Sequence, residues 1–288
     1  MSAISQLYRQ KPCVFSIECF PPKQTTRFAA LQDTLRRMKA LDPDFISVTY
    51  GAGGSAGGVS SVQGGSFLKN ELGIQPLAHV LCMGSDRQKA AAQLDALRAA
   101  GVRDVLALRG DRTPLRPESP DFHHACDLMD FIRDTAPDIS FAGACYPEGH
   151  PEAESLAADV ANLRHKQQAG ASHLVSQLFF DNGKYYRFLN MARKAGVTLP
   201  ISAGVMPIVR RSQIERTVAL SSASLPSAFT RMISRWQDDP QSLYQAGIEY
   251  AVEQLRDLIE GGADGVHLYA MNDAGVAAAV YNGIRDLL

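Results

Sequence analysis

Short apolar runs alternate with longer amphipathic stretches along the chain, and this alternation predicts a strand followed by a helix eight times. The apolar runs suit strands that are buried on both faces of a parallel sheet. The predicted strands cover residues 13–20, 45–50, 75–82, 105–108, 139–144, 173–180, 199–203 and 265–269. The first predicted helix covers 26–41, and the last covers 274–287.

Helix boundaries are predicted from caps, prolines and glycines. Ser85 is the expected cap of the helix that follows the third predicted strand and ends at Gly101, and Pro240 begins a long helix that ends at a glycine pair. Gly64 and Gly65 are expected to interrupt the helix that they lie in. The segment 212–236 is predicted as two helices joined by a hinge over its serine-rich centre.

Eight strand-and-helix units at intervals of roughly 30–35 residues predict an α/β protein built as a single (β/α)₈ TIM barrel. The predicted domain covers residues 1–288, because no linker or low-complexity tract divides the chain. An open doubly wound sheet is the alternative. That fold would place a G-x-G-x-x-G motif after the first strand when it binds a dinucleotide, and no such motif occurs there.

Composition excludes several classes of protein. An apolar fraction of 45% with 20% charged residues is typical of a globular chain, and 29 basic against 30 acidic residues give a net charge of −1. No overall field therefore favours nucleic acid or an anionic membrane as a partner. Neither a membrane-spanning run nor a signal peptide is present, and five cysteines without a C-x-x-C motif are expected to be reduced, so we expect a cytoplasmic protein.

Polar residues recur where the predicted strands end, and in a barrel those ends form the face that carries active sites. The stretch after the fourth strand is the densest: Arg109, Gly110 and Asp111 follow an apolar run directly. A solvated turn would explain them alone, but convergence of several clusters on one rim favours a site. The residues at these strand ends are Glu18, Thr49, Tyr50, His79, Arg109, Gly110, Asp111, Tyr146, His150, Gln177 and Asn272.

Three of these residues have two interpretations each. Glu18 lies inside an apolar run, where it is either a structural carboxylate with a partner or a general acid whose pKa is raised by desolvation. His79 is either a core histidine or a ligand contact. Gln177 is either an interior hydrogen-bonding group or an amide that reads the edge of a heterocycle.

Asp159, Asn162 and Lys166 are spaced three and four residues apart, so they share one face of a predicted helix. A solvated helix face is the common meaning of such a triplet. The helix directly follows the loop that carries Tyr146 and His150, however, and could receive the phosphates and sugar of a long cofactor. The triplet is therefore a candidate cofactor site.

Two other chemistries are disfavoured. A metal centre could draw on Glu18, His79, Asp111 and His150, but no H-x-H or H-E-x-x-H spacing occurs, so no metal is expected. A Schiff-base aldolase would need a lysine inside a strand, and Lys23, Lys166 and Lys184 lie on predicted loops or helices.

Five motifs together resemble one family. Ile-Glu-Cys-Phe-Pro-Pro at 17–22, Ser-Val-Thr-Tyr-Gly-Ala-Gly-Gly at 47–54, Ala-Leu-Arg-Gly-Asp at 107–111, Tyr-Pro-Glu-Gly-His-Pro-Glu-Ala at 146–153 and Gln-Leu-Phe-Phe-Asp at 177–181 closely resemble methylenetetrahydrofolate reductases. The resemblance spans the chain in order. It implies a flavin-bearing barrel in which FAD passes hydride between a nicotinamide nucleotide and 5,10-methylenetetrahydrofolate, and it allows a homo-oligomer.

The resemblance also implies roles for individual residues. Glu18 and Asp111 would be catalytic, the first as general acid. Asp111, Gln177 and Asn272 would contact the tetrahydrofolate derivative, and Thr49 would lie near the nicotinamide. The implied cofactor contacts are Thr49, Tyr50, Ala52, His79, Arg109, Gly110, Asp111, Ala125, Tyr146, His150, Asp159, Asn162 and Lys166.

Several positions depart from the family pattern: residues 55–58 lack the charged residues usual after the glycines, Leu81 stands where threonine is common, and Asp273 and His165 also differ. Asp273 stands where many relatives carry an arginine that helps to hold the folate, and its carboxylate is expected to repel the glutamate tail. His165 stands where an arginine is common. A pterin-binding barrel that serves methyl transfer and a folate-binding module without redox activity are the alternative functions.

Overall fold

The computed structural model describes residues 3–22, 24–50, 60–113, 116–220 and 223–288. In these ranges eight parallel strands pair in chain order, and the last strand pairs with the first to close a barrel. The prediction of a single (β/α)₈ barrel of the α/β class is confirmed. The strands are β1 Val14–Cys19, β2 Phe45–Val48, β3 Gln75–Leu81, β4 Asp104–Leu108, β5 Ser140–Cys145, β6 Leu174–Ser176, β7 Ile201–Val205 and β8 Gly265–Leu268.

Helices surround the barrel, and one precedes it. A 3₁₀ turn at Thr25–Arg27 leads into the second helix, and the third passes directly into a π-helical segment at Phe67–Leu72. The described helices are α1 Ala3–Gln10, α2 Phe28–Lys39, α3 Ser61–Ser66, α4 Arg87–Ala99, α5 Ala125–Thr135, α6 Leu156–Ala169, α7 Asn182–Lys194, α8 Arg211–Leu220, α9 Ser227–Trp236, α10 Pro240–Glu260 and α11 Ala274–Ile284. None of them is both long enough and apolar enough to cross a bilayer.

Strand β1 shows how the sequence divides the core. The strand alternates, so Val14, Ser16 and Glu18 point into the barrel, and the residues between them pack outward against the helices. The outward residues are Phe15, Ile17 and Cys19, each at most 2% exposed. Burial of such a side chain contributes about 1.5–3 kcal/mol.

Helix α1 closes the amino-terminal end of the barrel, and the sequence analysis did not predict it. Ile4 is fully buried and packs in the barrel interior with Val14 and Phe45. The Tyr8 hydroxyl lies 2.8 Å from the hydroxyl of Ser202 at the start of β7. The face opposite the strands' carboxyl ends is therefore filled by side chains.

Two boundary predictions were wrong in detail. Gly64 and Gly65 do not interrupt their helix. They let the helix pack closely on the barrel, since a Cβ on Gly64 would lie 2.8 Å from a Val48 methyl carbon. The cap of α4 is Asp86, whose side chain accepts from the Lys89 amide, rather than Ser85. The predicted hinge falls between α8 and α9, although its first two residues lie outside the described ranges.

Candidate active site

Glu18 lies inside the barrel near the carboxyl end of β1, level with Ser47 on β2. Its side chain is 21% exposed, and burial raises its pKa from 4.5 to about 8, although a hydrogen bond from Ser47 opposes that rise. The His79 Nε2 atom lies 3.7 Å from a Glu18 oxygen. Burial also lowers the pKa of His79 to about 3, so the imidazole is neutral and does not hold Glu18 ionised. The result is a carboxyl group that stays protonated near neutral pH.

A buried hydrogen-bond chain continues below Glu18. The Ser47 hydroxyl lies 3.4 Å from Nε2 of His267, and Nδ1 of His267 lies 2.7 Å from the hydroxyl of Ser16. Burial lowers the pKa of His267 to about 3, so this ring is also neutral. When Ser47 donates to the Glu18 carboxylate, it can accept from Nε2–H of His267, and the Ser16 hydroxyl then donates to Nδ1 at 2.7 Å in preference to the Val266 carbonyl at 3.2 Å. The chain thus supports the ionised form of Glu18 after it gives up a proton.

We expect Ser47→Ala to raise the pKa of Glu18 further, by about one unit, because a hydrogen bond to a charged group contributes about 1.5–3 kcal/mol. The measurement is the infrared carboxylic-acid carbonyl band of Glu18 as a function of pH. Ser202→Ala is the matched control, since this interior serine bonds Tyr8 instead. Equal titration of Glu18 in wild type and Ser47→Ala would contradict the assigned bond.

The corner after β4 carries the cation and carboxylate that the sequence singled out. Gly110 adopts φ +80°, and a Cβ there would lie 3.3 Å from a Leu81 methyl carbon, so both conformation and space favour glycine. The Arg109 guanidinium binds both carboxylate oxygens of Glu152, at 2.5 and 2.7 Å. This pairing lowers the pKa of Glu152 to about 2. Asp111 is exposed at the same rim of the barrel as Glu18.

A cleft of about 710 Å³ opens beside this corner, beyond β4 and β5 and between α5 and α6. Seven of the predicted cofactor residues line it together: Arg109, Ala125, Tyr146, His150, Asp159, Asn162 and Lys166. His165, one of the departures from the family pattern, lines it as well. Asp159, Asn162 and Lys166 therefore face the same cavity as the loop before their helix. This arrangement is the one expected of a cofactor site and not of a solvated helix face.

The cleft is ordered by its own hydrogen bonds. Asp159 is 9% exposed and accepts from the backbone amide of His150 at 3.0 Å, which ties the loop to α6. The rings of Tyr146 and His150 meet edge to face at 4.8 Å. The Lys166 ammonium donates to the Ala144 carbonyl at 2.5 Å, and burial lowers its pKa. Within the described ranges no carboxylate forms an ion pair with Lys166.

A smaller pocket of about 160 Å³ adjoins the cleft and shares Arg109, Tyr146 and His150 with it. Asp111 and Gln177 both line this pocket. The Gln177 Oε1 atom accepts from the Leu178 amide at 2.8 Å, which fixes the orientation of the side-chain amide. The structure therefore brings two of the three predicted substrate contacts together, and Asn272 does not line this pocket.

Other predicted residues lie elsewhere. Tyr50 lines a separate pocket of about 190 Å³, with the Arg116 guanidinium 5.3 Å from its ring centre. The backbone amide of Thr49 donates to the backbone carbonyl of Cys19 at 3.0 Å. Ala52 lies outside the described residues. Their cofactor roles stay predictions.

Asn272 and Asp273 hold backbone at the seam between β8 and β1. The side-chain oxygen of Asn272 accepts from the backbone amide of Phe20 at 3.0 Å. Its side-chain nitrogen donates to the backbone carbonyl of Phe20 at 2.7 Å. Asp273 caps α11 and also pairs with Arg210 at 2.7 Å. The Asp273 carboxylate is thus paired with a cation, and its expected repulsion of a folate tail stays a prediction.

Sequence reasoning missed several residues of the site. Ser47 and His267 complete the chain below Glu18, and Glu152 holds Arg109. The inward position of His267 could have been found from strand alternation, but the Arg109–Glu152 pair is a tertiary contact that no spacing encodes. Among the described residues, no group of three or more histidine, cysteine, aspartate or glutamate side chains could hold a metal ion.

Comparison with known proteins identifies the family. Residues 3–285 match the family model described as "Methylenetetrahydrofolate reductase". The chain is 30% identical to 5,10-methylenetetrahydrofolate reductase of Pectobacterium carotovorum, over 94% of this chain and 90% of that protein. It is also 30% identical to methylenetetrahydrofolate reductase (NADH) 1 of Arabidopsis thaliana, over 93% of this chain but 48% of that longer protein.

A solved structure has the same fold. It is an uncharacterized protein from Clostridium thermocellum that binds two copies of 5-methyl-5,6,7,8-tetrahydrofolic acid. The TM-score is 0.72 with 14% sequence identity, and the match covers 98% of this chain and 99% of that one. At this identity the likeness shows a shared barrel fold.

Proposed function

The chain belongs to the methylenetetrahydrofolate reductase family, and from that premise we propose that FAD binds in the 710 Å³ cleft and serves the interconversion of 5,10-methylenetetrahydrofolate and 5-methyltetrahydrofolate. The family is one of oxidoreductases that act on folate. One observation carries the assignment to this barrel: a carboxyl group, Glu18, near the carboxyl end of β1, whose burial raises its pKa to about 8 and keeps it protonated near neutrality. Such a group is suited to general-acid catalysis.

The residues of the cleft fit a dinucleotide. Lys166 is a largely buried cation whose hydrogen-bond partner is a neutral carbonyl, and an anionic diphosphate would supply the missing charge. Arg109 adds a second cation at the rim. Asp159 and Asn162 offer oxygen and amide groups for hydroxyls of the sugar or ribityl chain. His79, Gly110, Ala125, Tyr146 and His150 complete the contacts that we propose, with Thr49, Tyr50 and Ala52 as further contacts.

When bound, the flavin supplies the hydride transfer. The protein's residues then manage protons and charge on the folate. Opening of the imidazolidine ring needs a proton on the departing amine nitrogen, and Glu18 gives that proton and becomes a carboxylate held by Ser47. The iminium cation that forms on the substrate is stabilised by the carboxylate of Asp111.

The smaller pocket orients the folate. Gln177 presents a fixed amide there, which can donate to a pterin edge, and it lies beside Asp111. Asn272 contributes by holding Phe20 at the rim next to Glu18. The solved structure that shares the fold binds 5-methyltetrahydrofolic acid, which supports a folate in this barrel.

We propose NADH or NADPH as the hydride source. One plant relative carries NADH in its name, and a nicotinamide nucleotide as reductant fits a cytoplasmic enzyme. The barrel of residues 1–288 would be the catalytic domain, alone or in a homo-oligomer.

The test begins with the absorption spectrum of purified protein before and after addition of FAD. We expect a flavin spectrum, bleaching by NADH or NADPH without oxygen, and reoxidation on mixing with 5,10-methylenetetrahydrofolate. A protein that stays colourless after reconstitution yet binds folate would overturn the proposal in favour of methyl transfer or simple folate binding.

A further inference from the structure

Glu148 lies in the loop between β5 and α6 and makes contacts that the proposed chemistry does not use. Its side chain is only 13% exposed. One oxygen accepts from the backbone amide of Ser224 at 2.9 Å, and the other lies 4.0 Å from the Lys184 ammonium. A partly buried carboxylate thus connects parts of the chain 76 positions apart.

The segment 223–226, which we call the strap, makes few polar contacts with the part of the chain that the structure describes. It lies outside the helices and strands and leads into α9, whose first backbone hydrogen bond runs from the Thr230 amide to the Pro226 carbonyl and whose N-cap, Pro226, offers no side-chain cap. Ala223 packs at the edge of an apolar cluster that contains Phe180 and Phe229. Between the described residues of the strap and the β5–α6 loop, the hydrogen bond from the Ser224 amide to Glu148 is the polar contact.

The strap forms part of the smaller pocket and not of the larger cleft. Ala223 and Glu148 line the 160 Å³ pocket together with Asp111 and Gln177. Neither Ala223 nor Glu148 lines the 710 Å³ cleft. The contact between the β5–α6 loop and the strap is therefore expected to affect the smaller pocket and not the larger cleft.

We propose that Glu148 is a positioning residue that holds the strap as a wall of the folate pocket and so sets folate affinity. The inference rests on the proposed function for the identity of the ligand. Loss of the contact frees Ser224 and its neighbours, so the pocket must be ordered again each time the ligand binds. The cost falls on substrate affinity, because Glu148 touches none of the proposed reacting groups.

The experiment compares Glu148→Ala with Glu148→Gln, since glutamine keeps an oxygen that can accept from the Ser224 amide. We expect Glu148→Ala to raise the KM for methylenetetrahydrofolate and the Kd for 5-methyltetrahydrofolate about tenfold, with kcat and FAD affinity unchanged. Hydrogen exchange over 223–226 should accelerate in the same variant. Glu148→Gln should restore most of the protection and affinity.

Lys184→Met is a second control, because it removes the more distant cation and leaves the bond to Ser224. Unchanged exchange in Glu148→Ala, equal impairment by Ala and Gln, or a matching loss of FAD affinity would each overturn the proposal. Exchange and equilibrium folate binding need no turnover. A protein that binds no flavin but shows the expected exchange and folate results would refute the proposed reductase and leave the role of Glu148 intact.

Discussion

Replacing Glu18 with glutamine is expected to lower the rate of methylenetetrahydrofolate reduction by about 10²–10⁴-fold, the usual contribution of a general acid. Glutamine keeps the shape of the side chain but cannot give a proton to the departing amine. Reduction of the flavin by a nicotinamide nucleotide should continue, because that half-reaction does not open the folate ring. Anaerobic stopped-flow measurement of the two half-reactions separates these outcomes.

The pH profile gives an independent check on the same residue. With a pKa of about 8, Glu18 loses its proton as the pH rises through that value, so the folate half-reaction of wild type should decline there. Glu71→Gln, a change at an exposed carboxylate, should keep this limb. If Glu18→Gln retained the limb and the rate, Glu18 would not be the acid.

Glu18 also has a predictable effect on stability. Its folded pKa lies above the unfolded value, so its favourable contribution is complete below pH 4.5 and is lost as the pH rises to about 8. Each pH unit within this window should cost wild type about 1.4 kcal/mol relative to Glu18→Gln. Denaturant unfolding of the flavin-free proteins at pH 5 and pH 8 measures the difference.

Lys166→Met is expected to weaken FAD binding by about 10- to 100-fold, the range for loss of a charged hydrogen bond from a largely buried site. Methionine fills similar space without the charge. Because burial already lowers the pKa of Lys166, the apoprotein should not lose stability and can gain it. Fluorescence titration with FAD and denaturation of the apoprotein provide the two readouts.

Lys194→Met is the control for this variant, since it removes an exposed lysine from the end of α7. Its FAD affinity should equal that of wild type. An unchanged FAD affinity in Lys166→Met would place the diphosphate elsewhere. A large loss of apoprotein stability would instead make Lys166 a structural group.

The barrel itself was predictable because its signal is local and repeated. Apolar runs marked all eight strands, and the inward face of β1 followed from alternation. The role of Gly64 was not predictable, because a glycine that breaks a helix and one that lets it pack against Val48 look alike in sequence. Helix α1 was missed because it is short and its stability comes from packing of Ile4 and Tyr8 on the barrel.

Within the candidate site, the sequence predicted which residues line the pockets better than it predicted which side chains contact one another. Strand-end position found Arg109 and Asp111, and helical spacing found Lys166. It did not show that Glu152 would hold Arg109, or that Asn272 would be engaged with Phe20. Such pairs join residues far apart in the chain, and only the folded geometry selects them.

The neutral imidazoles inside the barrel have a consequence for tolerance to acid. His79, His173 and His267 each have a pKa of about 3 because of burial, against 6.5 when unfolded. Unfolding therefore takes up three protons at these groups, offset by one from Glu18 between pH 6.5 and 4.5 and not offset below 4.5. The free energy of unfolding therefore falls as the pH drops below 6.5, and it falls more steeply below 4.5, where Glu18 no longer offsets the histidines. The burial that keeps Glu18 protonated near neutral pH thus also makes the barrel lose stability steeply in acid.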